Sequence, residues 1–254
     1  MKGSPPWRRP LEPWIERLGW QPGAPLDLSR LNALAVHRGC VNGSGVAIRF
    51  ADTDTLTADP APYEWRIAQA GLVATRTNGA GSPHDAFNAL AWLAFPKLKA
   101  KLNNLHAQAI SQGVKEGSRG TLRDRATLFD ESGALLLTDK ADLIESLRQF
   151  DWERLFVTER ARLIDEARLL VIGHAVQEKL CHPYKSICVQ AWPVALSADT
   201  TDDEADAWAA THLDEAALGL LTPLPVLGWP GWWAASESPE FYNDTYVFRR
   251  GRKP

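Results

Sequence analysis

The chain is poor in the features that mark secreted, membrane-spanning or nucleic-acid-binding proteins. Its 254 residues include three cysteines, an odd count, and we expect no structural disulfide. The longest apolar run, residues 89–96, is less than half of the roughly 20 residues that a membrane-spanning helix needs. The net charge of −3 comes from 28 basic and 31 acidic side chains without a long run of one sign, which disfavours nucleic acid as a partner.

The first ten residues lack the apolar stretch of a secretory signal, so we expect a cytoplasmic location. They contain three prolines and little to bury, which predicts a flexible N-terminal lead-in over residues 1–10. The length of residues 11–254 fits a single domain. Within it we expect peripheral helices over residues 11–45 and the core with a wrapping tail over residues 46–254.

With 45% hydrophobic and 23% charged residues, the chain has the composition of an ordinary globular protein. Apolar spacing together with Gly and Pro breaks predicts both helices and strands. Helices are expected over 11–18, 28–37, 63–70, 82–95, 97–106, 139–149, 151–163, 174–180 and 202–217. Strands are expected over 46–50, 169–172 and 186–194, and residues 126–130 and 134–137 read as a hairpin. The fold class is therefore α+β, with a single core and a small mixed or antiparallel sheet covered by several helices.

A C-terminal segment, residues 223–233, contains too much Pro and Gly for regular structure and too much Trp to remain in water. We expect this Trp-rich tail to wrap onto the body of the protein. Its clustered Trp229, Trp232 and Trp233 are most simply core residues. Stacking on bases or sugars is the alternative.

Several residue strings together resemble the bacterial family called domain of unknown function 3025. They span the chain from about residue 43 onwards. The strings are Tyr63-Glu64, Thr75-Arg76, His84–Leu90, Trp92-Leu93, Phe95-Pro96, Lys99, Leu102-Asn103, His106, Leu128–Gly133, Gly173–Ala175, Glu178-Lys179, Pro183–Lys185, Leu224–Gly228, Pro230–Trp232, Phe241-Tyr242 and Val247–Arg249. The resemblance implies no particular activity, cofactor or catalytic residue, so function has to be argued from the residues themselves.

Polar side chains at two predicted helix starts could carry chemistry. His84, Asp85 and Asn88 combine an imidazole, a carboxylate and an amide near backbone N–H groups that attract anions. His174 opens a helix directly after a strand, and Glu178 lies four residues on, on the same face. We predict His84, Asp85, Asn88 and His174 as catalytic residues. The structural alternative is that Asp85 offsets the helix dipole and that His174 and Glu178 hold a turn.

Other polar residues complete the predicted site. His84, His106, His174 and Glu178 are the candidate ligands of a divalent metal ion, and Arg76, Lys179 and Asp130 are candidate substrate-binding residues. Asp130 and Glu131 lie at the predicted hairpin turn, where carboxylates often accept local N–H bonds. The lysines at 97, 99 and 101 are interpreted as a solvated helix face.

No nucleophile elbow, phosphate-binding loop or dinucleotide fingerprint is present in the sequence. The first hypothesis is a cytosolic enzyme, a metal-assisted hydrolase of a small or anionic substrate. The alternative is a noncatalytic ligand-binding or protein-interaction module that uses the Trp-rich tail. A third reading is a metal-dependent nuclease, suggested only by polar residues within 84–106. Oligomeric state is not indicated by the sequence.

Overall fold

The helices mostly begin and end where the sequence provides caps and breaks. The computed structural model describes residues 4–56, 61–79, 81–111 and 121–250. The α-helices in these ranges are α1 (Glu12–Leu18), α2 (Leu28–Arg38), α3 (Tyr63–Ala70), α4 (Ser82–Ala94), α5 (Pro96–Ser111), α6 (Thr121–Ser132), α7 (Ala141–Arg148), α8 (Arg160–Glu166), α9 (His174–Lys179), α10 (Asp202–His212) and α11 (Glu215–Leu218). Asp27 caps α2 by accepting from Arg30 N, and Thr201 forms a capping box with Glu204 on α10.

The strands form one sheet of four and one of two. They are β1 (Arg49–Asp52), β2 (Leu72–Thr75), β3 (Gly133–Leu137), β4 (Arg168–Val171), β5 (Cys188–Val194) and β6 (Thr222–Pro225). The larger sheet has the order β4-β3-β5-β6, in which only β3 and β5 run parallel, and β1 pairs with β2 in parallel. The predicted α+β class with a small mixed sheet is confirmed.

The four-stranded sheet separates two clusters of buried apolar side chains. Leu135 and Leu137 of β3 point into a cluster formed with α4 and α5, and Leu136 points into a second cluster on the opposite face. This alternation follows from the two-residue period of a strand. All residues of β3 are buried, so this strand is the centre of the molecule.

The predicted hairpin at residues 126–137 is wrong in its first half. Residues 126–130 belong to α6, and only the second half forms a strand, β3. Ala126 and Phe129 are fully buried and three residues apart, which is the spacing of a helix face rather than of a strand. The helix runs straight into the strand because Gly133 lies against Phe129: a Cβ on Gly133 would approach the Phe129 carbonyl oxygen to 2.3 Å.

Smaller boundaries also differ from the prediction. The first strand is Arg49–Asp52 rather than 46–50, and residues 151–163 contain a π-helical turn, Arg154–Thr158, before α8. The acidic helix predicted over 202–217 is divided into α10 and α11 at Asp214, whose side chain caps the second helix by accepting from Ala217 N.

The C-terminal tail packs onto the second cluster as expected, but it begins with regular structure. β6 pairs with β5 as an edge strand, where proline is tolerated. β5 is an inner strand that contains Pro193, and this proline has no β6 neighbour because β6 pairs with Cys188–Ala191. The interpretation of the tryptophans as core residues agrees with the structure, since Trp229 is buried and Trp232 and Trp233 pack against the cluster.

The N-terminal segment is not the loose lead-in that its composition indicated. Pro6–Arg8 forms a 3-10 turn, and Trp7 is 6% exposed within the second cluster. The backbone oxygen of Trp7 accepts a hydrogen bond of 2.9 Å from Nε2 of the fully buried Gln177. The prediction that residues 1–10 are flexible and bury little is therefore wrong from Pro6 onwards. Residues 1–3 lie outside the described residues.

None of the helices in the described part of the chain is long and apolar enough to cross a membrane. Cys40, Cys181 and Cys188 are not joined to one another in the structure, and they lie at a buried, a half-buried and an exposed position.

The start of α5 is capped by a residue from a distant helix. Because α5 follows α4 through Phe95 alone, no Ser, Thr, Asp or Asn precedes it to cap its first N–H groups. Asp206 of α10 takes this role: its carboxylate accepts from Lys97 N at 3.1 Å and from Leu98 N at 2.8 Å. Asp206 is 1% exposed, and burial raises its pKa to about 6.

We expect Asp206→Ala to lower the free energy of unfolding by about 1–2 kcal/mol near pH 7.5, because two buried N–H groups lose their acceptor. Asp203→Ala on the same helix is the matched control, since Asp203 is exposed and pairs only with Arg38 at the surface. Its cost should stay below about 1 kcal/mol. Urea unfolding followed by circular dichroism measures both, and equal costs would contradict the capping role.

Candidate metal centre and adjoining cavity

Three side chains from three helices meet at one point. Nε2 of His84 lies 3.1 Å from Nε2 of His174 and 3.9 Å from Oε2 of Glu131, and Nε2 of His174 lies 3.3 Å from the same oxygen. His84 is 30% exposed and His174 is 5% exposed. Glu131 is 39% exposed, so the cluster extends from a buried histidine to two partly exposed side chains.

The chain brings Glu131 and His174 together by crossing two helix–strand junctions. The junction from α6 to β3 passes directly beside the junction from β4 to α9, and Gly173 N donates to Gly133 O at 2.9 Å. A Cβ on Gly173 would lie 2.5 Å from backbone atoms of Ser132 and 2.6 Å from Glu131 O. Glycine is required at position 173 because of this close approach, which places the last turn of α6 against the first residue of α9.

His84 reaches the same point from the first turn of α4. The helix begins after Gly81, which is its N-cap residue and has a positive φ of 86°. Nδ1 of His84 lies 3.1 Å from Oε2 of Glu178 on α9. An ionised carboxylate only accepts hydrogen bonds, so Nδ1 donates in this contact, and Nε2 faces the cluster.

Burial shifts the pKa values of His174 and Glu131. It lowers the pKa of His174 to about 3, against the opposing effect of nearby Asp130, so this imidazole is neutral at physiological pH. Burial, reinforced by the charge of Asp130, raises the pKa of Glu131 above its ordinary value. Neutral imidazole and carboxylate are the forms in which these side chains bind metal ions.

The spacing of the three atoms matches that of ligands around one ion. A tetrahedral zinc ion with bonds of about 2.0–2.2 Å keeps neighbouring ligand atoms about 3.3–3.5 Å apart. The observed separations of 3.1, 3.3 and 3.9 Å bracket that value. Within the described residues, His84, Glu131 and His174 are the one group of three His, Cys, Asp or Glu side chains close enough to hold a metal ion.

A buried network of polar side chains lies next to the cluster. Lys99, only 4% exposed, donates to Asn88 Oδ1 at 2.8 Å and to Asp130 Oδ1 at 2.5 Å. Asn88 in turn donates through Nδ2 to the Tyr63 hydroxyl at 2.8 Å. Burial by itself would raise the pKa of Asp130, but the charge and the hydrogen bond of Lys99, together with nearby His174 and His106, hold that pKa below its usual value. The interpretation of Lys99 as part of a solvated face is wrong.

Arg76 and Asp85 form a second pair at the opening. Nε and Nη2 of Arg76 each donate to a different oxygen of Asp85 at 2.7 Å, and the backbone N–H of Arg76 adds a third bond of 2.7 Å. Gly81 makes room for this pair, since a Cβ there would lie 2.2 Å from the guanidinium. Asp85 is therefore occupied in holding Arg76 and does not join the histidines.

The cluster and the network border one cavity of about 230 Å³. Its lining residues are Tyr63, Glu64, Ile67, Ala74, Arg76, His84, Asp85, Asn88, Trp92, Lys99, Leu102, Asn103, His106, Thr127, Asp130, Glu131 and His174. A larger cavity of about 550 Å³, beside Trp152 and Tyr242, has no histidine in its lining. We therefore place the candidate site in the smaller cavity.

One model of a protein family matches most of the chain. The model of the family described as "Protein of unknown function (DUF3025)" matches residues 48–252. The chain belongs to this family. No curated protein and no solved structure matches the chain. The DUF3025 match begins near β1, so α1 and α2 precede it, although Leu31 and Ala35 of α2 are fully buried in the first cluster.

Most of the residues predicted from sequence converge in this DUF3025 chain. His84, Asp85, Asn88, His174, Arg76, Asp130 and His106 all border the cavity. The candidate metal-ligand set differs from the prediction: Glu131 offers the third potential ligand atom, whereas Glu178 contacts the far nitrogen of His84. His106 is outside the group of three, and burial lowers its pKa. Lys179 is exposed and does not line the cavity.

The prediction omitted four residues of the site, namely Glu131, Tyr63, Lys99 and Asn103. Glu131 was assigned to a turn because α6 was read as a strand. The other three show no chemical motif in the sequence, but they stand in the strings that carry the family resemblance, which was the one available signal.

We expect Lys99→Met to lower the free energy of unfolding by about 3 kcal/mol near pH 7.5, because a buried carboxylate loses its partner. In the native protein the pKa of Asp130 is lowered, so the pair stabilises the fold above the unfolded pKa and loses this effect as pH falls. Without Lys99, burial raises the pKa of Asp130, so the loss should be smaller near pH 4.5.

Lys97→Met is the matched control, since Lys97 is exposed on the same helix. It should cost less than about 0.5 kcal/mol at either pH. Urea unfolding at the two pH values makes the comparison, and a pH-independent cost for Lys99→Met would contradict the role of Asp130.

Proposed function

We propose that this protein is a metal-dependent hydrolase of a small substrate. The observation that supports the proposal is the triangle of His84 Nε2, His174 Nε2 and Glu131 Oε2, which borders a polar cavity. Two histidines and one glutamate that leave further positions open are a ligand set of zinc hydrolases. Such an ion lowers the pKa of bound water and polarises the bond that the water attacks.

The surroundings of the triangle also fit a metal site. Glu178 accepts from Nδ1 of His84, which fixes the tautomer and the ring orientation that a ligand histidine needs. His84 is partly exposed whereas His174 is buried. One side of the proposed ion would therefore stay accessible from the cavity. Without an ion, the two Nε2 atoms would repel each other if both presented lone pairs. His174 must then carry a hydrogen on Nε2 and direct it towards His84 or Glu131.

The first test is the metal content of purified, tag-free protein by elemental analysis. We expect close to one zinc ion per chain, and its loss in His84→Ala, His174→Ala and Glu131→Ala. His37→Ala, which changes an exposed histidine, should retain the metal. Circular dichroism checks that each variant is folded.

Glu178→Ala separates the proposed ligand set from the one that includes Glu178. As an orienting residue, Glu178 should affect zinc affinity by about 10- to 100-fold without abolishing binding. Complete loss in Glu178→Ala together with full retention in Glu131→Ala would contradict the assignment. Stoichiometric iron in place of zinc would contradict the hydrolase, because the same ligand set serves iron oxygenases.

A further inference from the structure

The hydrogen bonds around Tyr63 have a fixed direction. A lysine ammonium only donates, so Asn88 accepts from Lys99 through Oδ1 and presents its Nδ2 to Tyr63. The Tyr63 oxygen is therefore an acceptor in this bond, and its own hydrogen points elsewhere. Within the described part of the chain, no acceptor takes that hydrogen, and Tyr63 borders the cavity. Burial raises the pKa of Tyr63, so the hydroxyl keeps its proton and offers a donor to a bound molecule.

An acceptor without a partner lies on the neighbouring helix. Asn103 is 5% exposed and donates through Nδ2 to Glu64 O at 2.9 Å, which directs its Oδ1 away from that contact. Oδ1 is buried and has no hydrogen-bond partner in the described residues. Asn103 borders the same cavity as Tyr63. Oδ1 has practically no accessible surface, so a small shift of the cavity lining would be needed to let the N–H group of a bound molecule satisfy this acceptor, which is costly to leave unpaired.

The charges at the cavity favour a neutral molecule. Both basic side chains of the lining already have carboxylate partners, Arg76 with Asp85 and Lys99 with Asp130. The lining also carries the proposed ligand Glu131 and Glu64, whose carboxylate lies 3.8 Å from Arg123. Among the described residues of the lining, a phosphate dianion would therefore find no unpaired lysine or arginine, and it would face several carboxylates.

We infer that the substrate is a small neutral amide, whose carbonyl oxygen accepts from the Tyr63 hydroxyl and whose N–H donates to Asn103 Oδ1. This inference rests on the proposed metal-dependent hydrolase. In the reaction, the oxygen of water bonds to the carbonyl carbon and the C–N bond breaks. Its electron pair stays on nitrogen, which takes up a proton from the water, and the products are a carboxylic acid and an amine. Tyr63 stabilises the negative charge that develops on the carbonyl oxygen.

The test uses two uncharged probes of nearly equal shape, N-methylacetamide and butanone, which differ in an N–H against a CH₂ group. The protein is loaded with Co²⁺, whose visible absorption changes when a molecule enters the site. Titration of each probe gives a dissociation constant for the wild type, Tyr63→Phe and Asn103→Ala. Co²⁺ stoichiometry and circular dichroism are measured on every variant, and Asn103→Ser replaces Asn103→Ala if the latter does not fold.

We expect the wild type to bind N-methylacetamide more tightly than butanone. Tyr63→Phe should weaken both probes by about three- to tenfold, because it removes the donor to the shared carbonyl. Asn103→Ala should weaken only the amide by a similar factor, which abolishes the preference. Neither variant should change the Co²⁺ stoichiometry.

The outcomes separate this inference from the proposal on which it rests. Full Co²⁺ binding with no response to either probe, or with affinities unchanged in Tyr63→Phe, would overturn the amide assignment and leave the metal site in place. The same holds if Asn103→Ala weakens both probes equally. A wild-type protein that binds no Co²⁺ would overturn the hydrolase and the amide assignment together.

Discussion

The close approach of two chain segments at Gly133 and Gly173 is the constraint on which the arrangement of the site depends. Here α6 enters β3 and β4 leaves for α9, and backbone atoms of Ser132 and Glu131 leave Gly173 no space for a side chain. Hydrogen bonds from Ile172 N and Gly173 N to Gly133 O hold the crossing at 3.0 and 2.9 Å. Because the central strands are buried on both faces, the crossing is anchored in the core, and the positions of the carboxylate and imidazole that follow from it are rigid.

Around this crossing, the polar groups form a layer that is largely enclosed by helices. Two basic side chains of this layer are paired with carboxylates: Lys99 with Asp130, and the more exposed Arg76 with Asp85. The pairs fix the orientation of their side chains, while the desolvation of an ion pair offsets much of its attraction. In this protein the orientation is transmitted through Asn88 to Tyr63, so the direction of a single hydroxyl depends on a lysine two contacts away.

Local patterns in the sequence were sufficient for most helices, for the mixed sheet and for the packing of the tail, because caps and apolar spacing act over a few residues. They failed at α6, where Ala126 and Phe129 occur in a stretch short enough to read as a strand. That error moved Glu131 from a helix to a turn and out of the metal site. The burial of Lys99 could not be predicted from its own helix, since it depends on Asp130, which a different helix supplies.

The N-terminal segment is connected to the site through α9. The backbone oxygen of Trp7 accepts from Gln177, which lies between His174 and Glu178 on that helix, and Arg8 contacts Cys181 just beyond its end. The turn Pro6–Arg8 thus supports the helix that carries His174 of the cluster and Glu178 beside it. Affinity tags or shortened N-termini, usually chosen for convenience in purification, are for this protein changes made close to the candidate site.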